Sequence, residues 1–268
     1  MSPRTSLRRR MLAVLVTAAA GSLAVVVAAV AGGQVTGSEL LPDLRHEPPS
    51  GVVVRRVDGR TLLAFASAVG NVGAGDLIIN GRRTRGERLM TVTQEITRVD
   101  GSVVQVPLRA RLKYQPGGHN HWHLQQFNRF DLRDATTGRV LRRSPKVGFC
   151  LGSRYQVQPT VPGTRSVPRM NHHCGRFRPG LMRMRAGIDV GWVDGYAAFI
   201  EGQSLDITGL PAGRYMLVHE ADPGRLLLVG NRADDVASAL VEITPPARPG
   251  GVPGVRTLAR CEATASCA

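Results

Sequence analysis

The segment Met90-Thr91-Val92-Thr93-Gln94-Glu95-Ile96-Thr97-Arg98-Val99 runs into Asp100-Gly101 and resumes as Val103-Val104-Gln105-Val106. Apolar and polar side chains alternate along it, and β-branched residues are frequent; both properties suit a half-buried, pleated strand. Asp-Gly between two such runs signals a hairpin, because glycine accepts the positive φ that a tight turn demands. The pattern recurs on both sides. Val52-Val53-Val54 and Thr61-Leu62-Leu63-Ala64-Phe65-Ala66 flank Asp58-Gly59, and Asn71-Val72-Gly73-Ala74-Gly75 turns the chain into Asp76-Leu77-Ile78-Ile79. Further on, Ser204-Leu205-Asp206-Ile207-Thr208, Gly213-Arg214-Tyr215-Met216-Leu217-Val218-His219-Glu220 and Ala239-Leu240-Val241-Glu242-Ile243 read as three more strands. There are 31 glycines and 17 prolines, and few stretches have helical period. The expected fold is therefore all-β, an antiparallel β-sandwich with long loops that carry the functional residues.

The ends of the chain read differently. Arg4, Arg8, Arg9 and Arg10 precede an uncharged run from Met11 to Ala31 that closes on Ala29-Val30-Ala31. A basic start, an apolar core and a small-residue site describe a signal peptide; the length of the run also suits a membrane anchor. Residues 1–31 are thus a signal peptide or an N-terminal anchor. In both cases the remainder is exported, secreted or membrane-anchored outside the cytoplasm, because the positive flank stays inside. Residues 32–244 form the expected folded domain, and 245–268 a proline- and glycine-rich tail. The four cysteines, Cys150, Cys174, Cys261 and Cys267, suggest two disulfides in an exported chain. Local pairing gives Cys150–Cys174 and Cys261–Cys267; free thiols are the alternative. None has the Cys-x-x-Cys spacing of a zinc ribbon.

The formal net charge is +15, and among the basic residues only Lys113 and Lys146 are lysine. Such a charge favours anionic partners, here cell-surface polymers or a membrane. No nucleic-acid motif accompanies it, and no basic run is interleaved with aromatic residues, so nucleic acid is not an expected partner.

The densest chemistry lies in His119-Asn120-His121-Trp122-His123, which follows Gly117-Gly118. Alternate residues of a strand share a face, so three imidazoles could meet there; on a helix His121 would point away from the other two. Copper(II) and zinc both accept imidazole nitrogen. A straight strand would hold the Cα atoms of His119 and His123 roughly 13 Å apart, near the limit for one ion, so the segment must bend. His172-His173, beside Cys174, read as loop histidines, and His46 and His219 as isolated structural ones.

At this point the chain resembles the lysyl oxidase family, bacterial relatives included. His119-Asn120-His121-Trp122-His123, followed by Phe127 and Phe130-Asp131-Leu132, is similar to the family's copper segment. Lys146-Val147-Gly148-Phe149-Cys150-Leu151 resembles the segment whose lysine joins the family's quinone. Gly191-Trp192-Val193-Asp194-Gly195-Tyr196, continuing to Gln203-Ser204-Leu205-Asp206-Ile207-Thr208, resembles the segment that holds its tyrosine, and Pro211-Ala212-Gly213-Arg214-Tyr215-Met216-Leu217 the strand after it. The likeness runs from about Leu41 to Ile243 and is best between Gly118 and Leu217. It implies copper(II) on His119, His121 and His123. It also implies a lysine tyrosylquinone made from Lys146 and Tyr196, with Asp194 as a candidate general base. The implied reaction is oxidative deamination of a primary amine, peptidyl lysine or a small amine, to an aldehyde, consuming oxygen and releasing hydrogen peroxide and ammonia. Taken alone, Lys146 reads as a surface cation after Pro145, Tyr196 as a core aromatic and Asp194 as a turn residue. The chain departs from the animal pattern in having four cysteines and Trp192 where a cysteine would follow Gly191.

Two other readings compete. One is a non-enzymatic metal-binding β-sandwich module of the cell envelope that keeps the histidines without turnover. The other is a mononuclear iron or zinc enzyme, which calls for a carboxylate beside two histidines, and no His-x-Asp/Glu pair is present.

Overall fold

The computed structural model describes residues 38–145 and 148–267. The 1–31 leader and Lys146 lie outside the described residues, among which there is no helix. In chain order the strands are β1 (Glu39–Leu40), β2 (Leu44–Val57), β3 (Arg60–Asn71), β4 (Leu77–Arg82), β5 (Leu89–Arg98), β6 (Val103–Gln115), β7 (His121–Leu124) and β8 (Asn128–Asp134). They continue as β9 (Val140–Arg143), β10 (Tyr155–Gln156), β11 (Arg183–Ile188), β12 (Trp192–Tyr196), β13 (Ser204–Asp206), β14 (Gly213–Ala221), β15 (Val236–Thr244) and β16 (Gly254–Cys261). Three antiparallel sheets result. The first has the order β11-β4-β5-β6-β7 with β1 added to β5; the second is β10-β12-β3-β13 with β2 on β3; the third is β16-β15-β14-β8-β9. The all-β expectation holds.

Turn chemistry explains the hairpins. Between β5 and β6, Gly101 adopts φ 80° and the Asp100 carboxylate accepts the Ser102 N–H at 2.8 Å. Asp58-Gly59 closes β2 onto β3 at the pair Val57↔Arg60. β6 runs to Gln115, well past the Val103–Val106 stretch legible in sequence. Pro245 onward is not featureless: β16 pairs with β15 at the edge of the third sheet, and Cys261–Cys267 closes beside it.

The inner faces meet in one main core. Phe65, Phe127, Phe130, Phe149 and Trp122 are fully buried, and each removes enough apolar surface from water to contribute roughly 1.5–3 kcal/mol. Phe65 packs edge-on against Phe130 at 5.2 Å, Phe130 against Phe149 at 5.8 Å, and Phe149 against Tyr196 at 5.2 Å. This aromatic chain links the second and third sheets to the Phe149 segment, whose backbone bridges to Leu124 of the first sheet beside the site described below.

His46 on β2 and His219 on β14 are not separate features. Both are fully buried with ring centroids 5.1 Å apart, and His219 packs against Phe65 and Phe130 at 4.9 and 4.4 Å. Among the described residues neither ring nitrogen of His219 has a hydrogen-bond partner, nor does His46 Nε2. Burial penalises the imidazolium, so it holds His46 down to about 4 and His219 well below the usual histidine range. The unfolded chain takes up protons below about pH 6.5 whereas the fold does not until near pH 4. The stability of this pair is therefore full above pH 6.5 and is lost as pH falls toward 4. Asp235, pushed up to about 7 by burial, works in the opposite direction, so the histidine share must be read from a variant. Between pH 7 and pH 5 the unmodified protein should lose about 2 kcal/mol more than His219→Leu does. Urea denaturation at the two pH values measures this, and equal losses in both proteins would reject it.

Candidate metal centre

Register decides where the histidines point. β7 lies against β6 with the pairs Gln115↔His121, Tyr114↔Trp122, Lys113↔His123 and Leu112↔Leu124. Directly opposed residues of an antiparallel pair share a face. His121 and His123 therefore stand on the side of Gln115 and Lys113, while Trp122 and Leu124 enter the core, 0% and 2% exposed. His119 is not on the strand. It sits in the preceding turn, which Gly117 (φ 80°) and Asn120 (φ 49°) bend back. Asparagine tolerates this left-handed conformation, and its side-chain amide donates to the Gly117 carbonyl. The expected bend is thus a turn before a short strand, and it removes the roughly 13 Å separation of a straight segment.

One nitrogen of each histidine lies within 4.8 Å of the others, and among the described residues these three form the one such group. His121 Nε2 and His123 Nε2 are 2.8 Å apart. Two nitrogens at right angles about an ion, each about 2.0–2.1 Å from it, would be about 2.9 Å apart. Three neutral imidazoles at this spacing fit a borderline metal such as copper(II) or zinc, and copper(II) suits tetragonal nitrogen geometry.

A disulfide holds the outer edge of β7. Leu124 and Phe149 exchange backbone hydrogen bonds at 2.8 and 3.0 Å, and Trp122 N–H donates to the Cys174 carbonyl at 2.9 Å. Phe149 precedes Cys150, and Cys150 is bonded to Cys174. The two segments that satisfy this edge are thus covalently joined. The Trp122 indole N–H donates to the Arg178 carbonyl at 3.1 Å, and the Arg83 guanidinium lies 4.9 Å over the ring.

A cleft of about 440 Å³ opens beside the imidazoles, lined by His119, His123, Lys113, Gln125 and Glu201 together with Pro145 and Gly148. Glu201 Oε2 is 3.7 Å from His119 Nε2. Nothing local in the sequence ties Glu201 to the histidines. Lys146 lies outside the described residues, although the residues on either side of the undescribed pair line the cleft. Gly148 backs onto His123 so closely that a Cβ there would lie 3.0 Å from the His123 Cβ and 2.6 Å from Gln125 Nε2. His172 and His173 lie exposed beside the disulfide, away from the group of three.

Tyr196 and Asp194 are the other half of the constellation. Both lie on β12 and are 8% and 1% exposed. The Tyr196 hydroxyl donates to the Cys150 carbonyl or to Asp194 Oδ2, the latter at 3.2 Å; its single proton serves one acceptor at a time. Burial first, and the Asp194 charge second, hold the phenol well above its ordinary range, so it is protonated at neutral pH. Arg154 was invisible among the many arginines. Its Nε bonds Asp194 Oδ1 at 3.1 Å and its guanidinium lies 4.9 Å over the Tyr196 ring. Tyr196 also faces a separate cavity of about 330 Å³, with Arg154, Tyr155 and Glu47 in its wall. The histidine cleft and the tyrosine are connected through the short segment Gly148–Cys150, whose ends touch His123 and Tyr196.

Residues 73–230, more than half of the chain, match the family described as lysyl oxidase. Protein-lysine 6-oxidase of Rattus norvegicus is 26% identical over 193 residues, covering 71% of this chain and 36% of that protein. The Sus scrofa protein of the same name is 25% identical over 193 residues, covering 71% of this chain and 60% of it. Lysyl oxidase homolog 1 of Homo sapiens is 27% identical over 127 residues, 47% of this chain and 20% of that protein. The chain therefore spans only part of each relative, about a third of the rat protein.

The clamp on β7 predicts a coupled loss. Replacing Cys150 and Cys174 by serine should cost about 3–4 kcal/mol of stability, from the loop the bridge closes. It should also weaken metal binding, because the strand edge bearing His121 and His123 loses its tether. Calorimetric titration with copper beside chemical denaturation reads both, and unchanged metal affinity in a folded variant would count against the clamp.

Proposed function

Because the chain belongs to the lysyl oxidase family, we propose that it is a copper-dependent amine oxidase that converts primary amines to aldehydes with release of hydrogen peroxide and ammonia. The observation that carries this reading is the convergence of His119, His121 and His123 on one point beside the segment that bears Lys146. In the proposal the three imidazoles hold copper, and Lys146 joins the Tyr196 ring as lysine tyrosylquinone. When bound, these groups supply the electron sink and the oxygen chemistry that an amine oxidation requires.

The remaining roles belong to the chain's own residues. Burial and the Cys150 carbonyl orient the Tyr196 ring, with Phe149 edge-on beneath it. Asp194 is the proposed base for the proton on the carbon next to the substrate nitrogen. Its ion pair with Arg154 fixes one oxygen, which leaves Oδ2 toward the tyrosine. Glu201, in the cleft wall with its side chain 71% exposed, supplies a negative charge that would draw an ammonium toward the metal. The two flanking cysteines in a disulfide, and the +15 charge, are compatible with an enzyme that works outside the cytoplasm.

Purified protein loaded with copper should bind one ion per chain, release peroxide on addition of a simple amine, and form a coloured adduct with phenylhydrazine. His121→Ala should abolish stoichiometric copper binding. Lys146→Ala and Tyr196→Phe should retain copper yet lose the adduct and at least about 1000-fold in turnover, as expected when a covalent cofactor is removed. A chain that binds copper but gives neither adduct nor peroxide would instead be a non-catalytic metal-binding module. Full adduct formation by either variant would overturn the cofactor assignment.

A further inference from the structure

The register that sets the histidines also sets a basic surface beside them. Along β6, Arg109, Arg111 and Lys113 are exposed while Ala110 and Leu112 are buried. Lys113 opposes His123, so this row occupies the metal side of the sheet. Cross-strand pairs carry the face outward: Arg111↔Thr91, Thr91↔Arg82 and Arg82↔Arg183 form one line across β6, β5, β4 and β11, with Arg185 in the next line. These strands' outward positions include one carboxylate, Glu95, which already bonds Arg185 at 2.7 Å, Asn80 at 3.0 Å and Gln105 at 2.9 Å. Arg82, Arg109, Arg183 and Lys113 have no ion-pair partner among the described residues. Over Arg82, Arg183 and Arg185 the face is hollowed into a groove of about 590 Å³, with Thr91, Thr93 and Gln105 in its floor.

We infer that this face is a docking surface for an acidic polypeptide segment, which delivers a lysine on the same chain into the metal cleft. Resting on the amine-oxidase reading for the fate of that lysine, the docking itself follows from charge and geometry. The groove and the cleft lie on one side of one sheet, and Lys113 belongs to the row of one and to the wall of the other. Successive outward residues of β6 recur about every 7 Å, which is also the repeat of same-side residues in an extended peptide. From Lys113 to the Arg82–Arg183 line the distance is roughly 12–16 Å, two to three strand spacings sideways and one residue pair along. An extended chain covers that in about four or five residues. Arg111, one outward position from Lys113, lies about 7 Å or two extended residues away, so the partner is a lysine whose carboxylates lie two to five residues away. A polyuronate offers neither this repeat nor an amine to follow it into the cleft. The same arrangement removes the conflict between a strongly basic protein and a cationic substrate group: the flank supplies the attraction, and Glu201 acts on the ammonium at short range.

The test uses the full chain with copper and three substrates: n-butylamine, an extended peptide with one lysine flanked by glutamates at two, four and five residues, and the same peptide with glutamines. Peroxide release gives KM and kcat for each, and fluorescence anisotropy gives binding independent of turnover. The glutamate peptide should show a KM about five- to tenfold below that of the glutamine peptide, an advantage that rising salt removes. Arg82→Gln with Arg183→Gln should erase the advantage without altering kcat or the kinetics of n-butylamine, whereas Arg60→Gln with Arg139→Gln, an equal charge change elsewhere, should leave it intact. If no amine is oxidised but the anisotropy contrast persists, the surface stands and the amine-oxidase reading fails. Equal affinity for the two peptides overturns the surface, as does binding of a polyuronate that depends on Arg82 and Arg183 when the acidic peptide shows none.

Discussion

The antiparallel pairing of β6 with β7 holds the site together. Four residues of β7 present two imidazoles to one side and two large apolar side chains to the other, and a shift of one residue would exchange them. Such a slip would carry Trp122 and Leu124 out of the apolar core and put His121 and His123 into it, each change costing several kcal/mol. The hydrophobic anchoring of Trp122 in the core is thus what aims His121 and His123. A strand this short has few ladder bonds of its own. Its other edge is satisfied by Phe149 and Cys174, and the Cys150–Cys174 bridge prevents those two segments from separating.

The same bridge relates the histidines to the tyrosine. Gly148 packs against His123, Phe149 lies edge-on to Tyr196, and the Cys150 carbonyl accepts the Tyr196 hydroxyl. Three consecutive residues therefore touch both halves of the constellation. Their backbone is held on one side by β7 and on the other by a disulfide, so the ring and the imidazoles keep a common reference. Arg154 adds an electrostatic brace: it neutralises Asp194 and covers the ring face, which permits a carboxylate and a phenol to be buried together.

Local signals in the sequence carried much of this. Asp100-Gly101 and Asp58-Gly59 marked hairpins because their chemistry is confined to a few adjacent residues. Alternate histidines after Gly117-Gly118 marked the candidate metal site for the same reason. What stayed hidden was non-local. The continuation of β6 to Gln115 is obscured by Pro107 and by arginines on its outer face. Glu201 meets His119 across eighty-two residues of sequence, and Arg154 meets Tyr196 through a loop, so neither leaves a spacing to read. His46 and His219 looked isolated because their contact is made by two strands from different sheets. Lys146, Asp194 and Tyr196 were singled out by the family resemblance alone, since each was unremarkable in its own neighbourhood.

Charge remains the term that orders the surface. At about 8–10 Å screening length in ordinary salt, a net +15 is not felt as a whole by an approaching group; it is felt patch by patch. Arginines on the third sheet, such as Arg214 and Arg256, spend their charge on Glu242. Those on the outward face of the first sheet are answered by a single glutamate. The excess on that face adjoins the cleft rather than facing away from it.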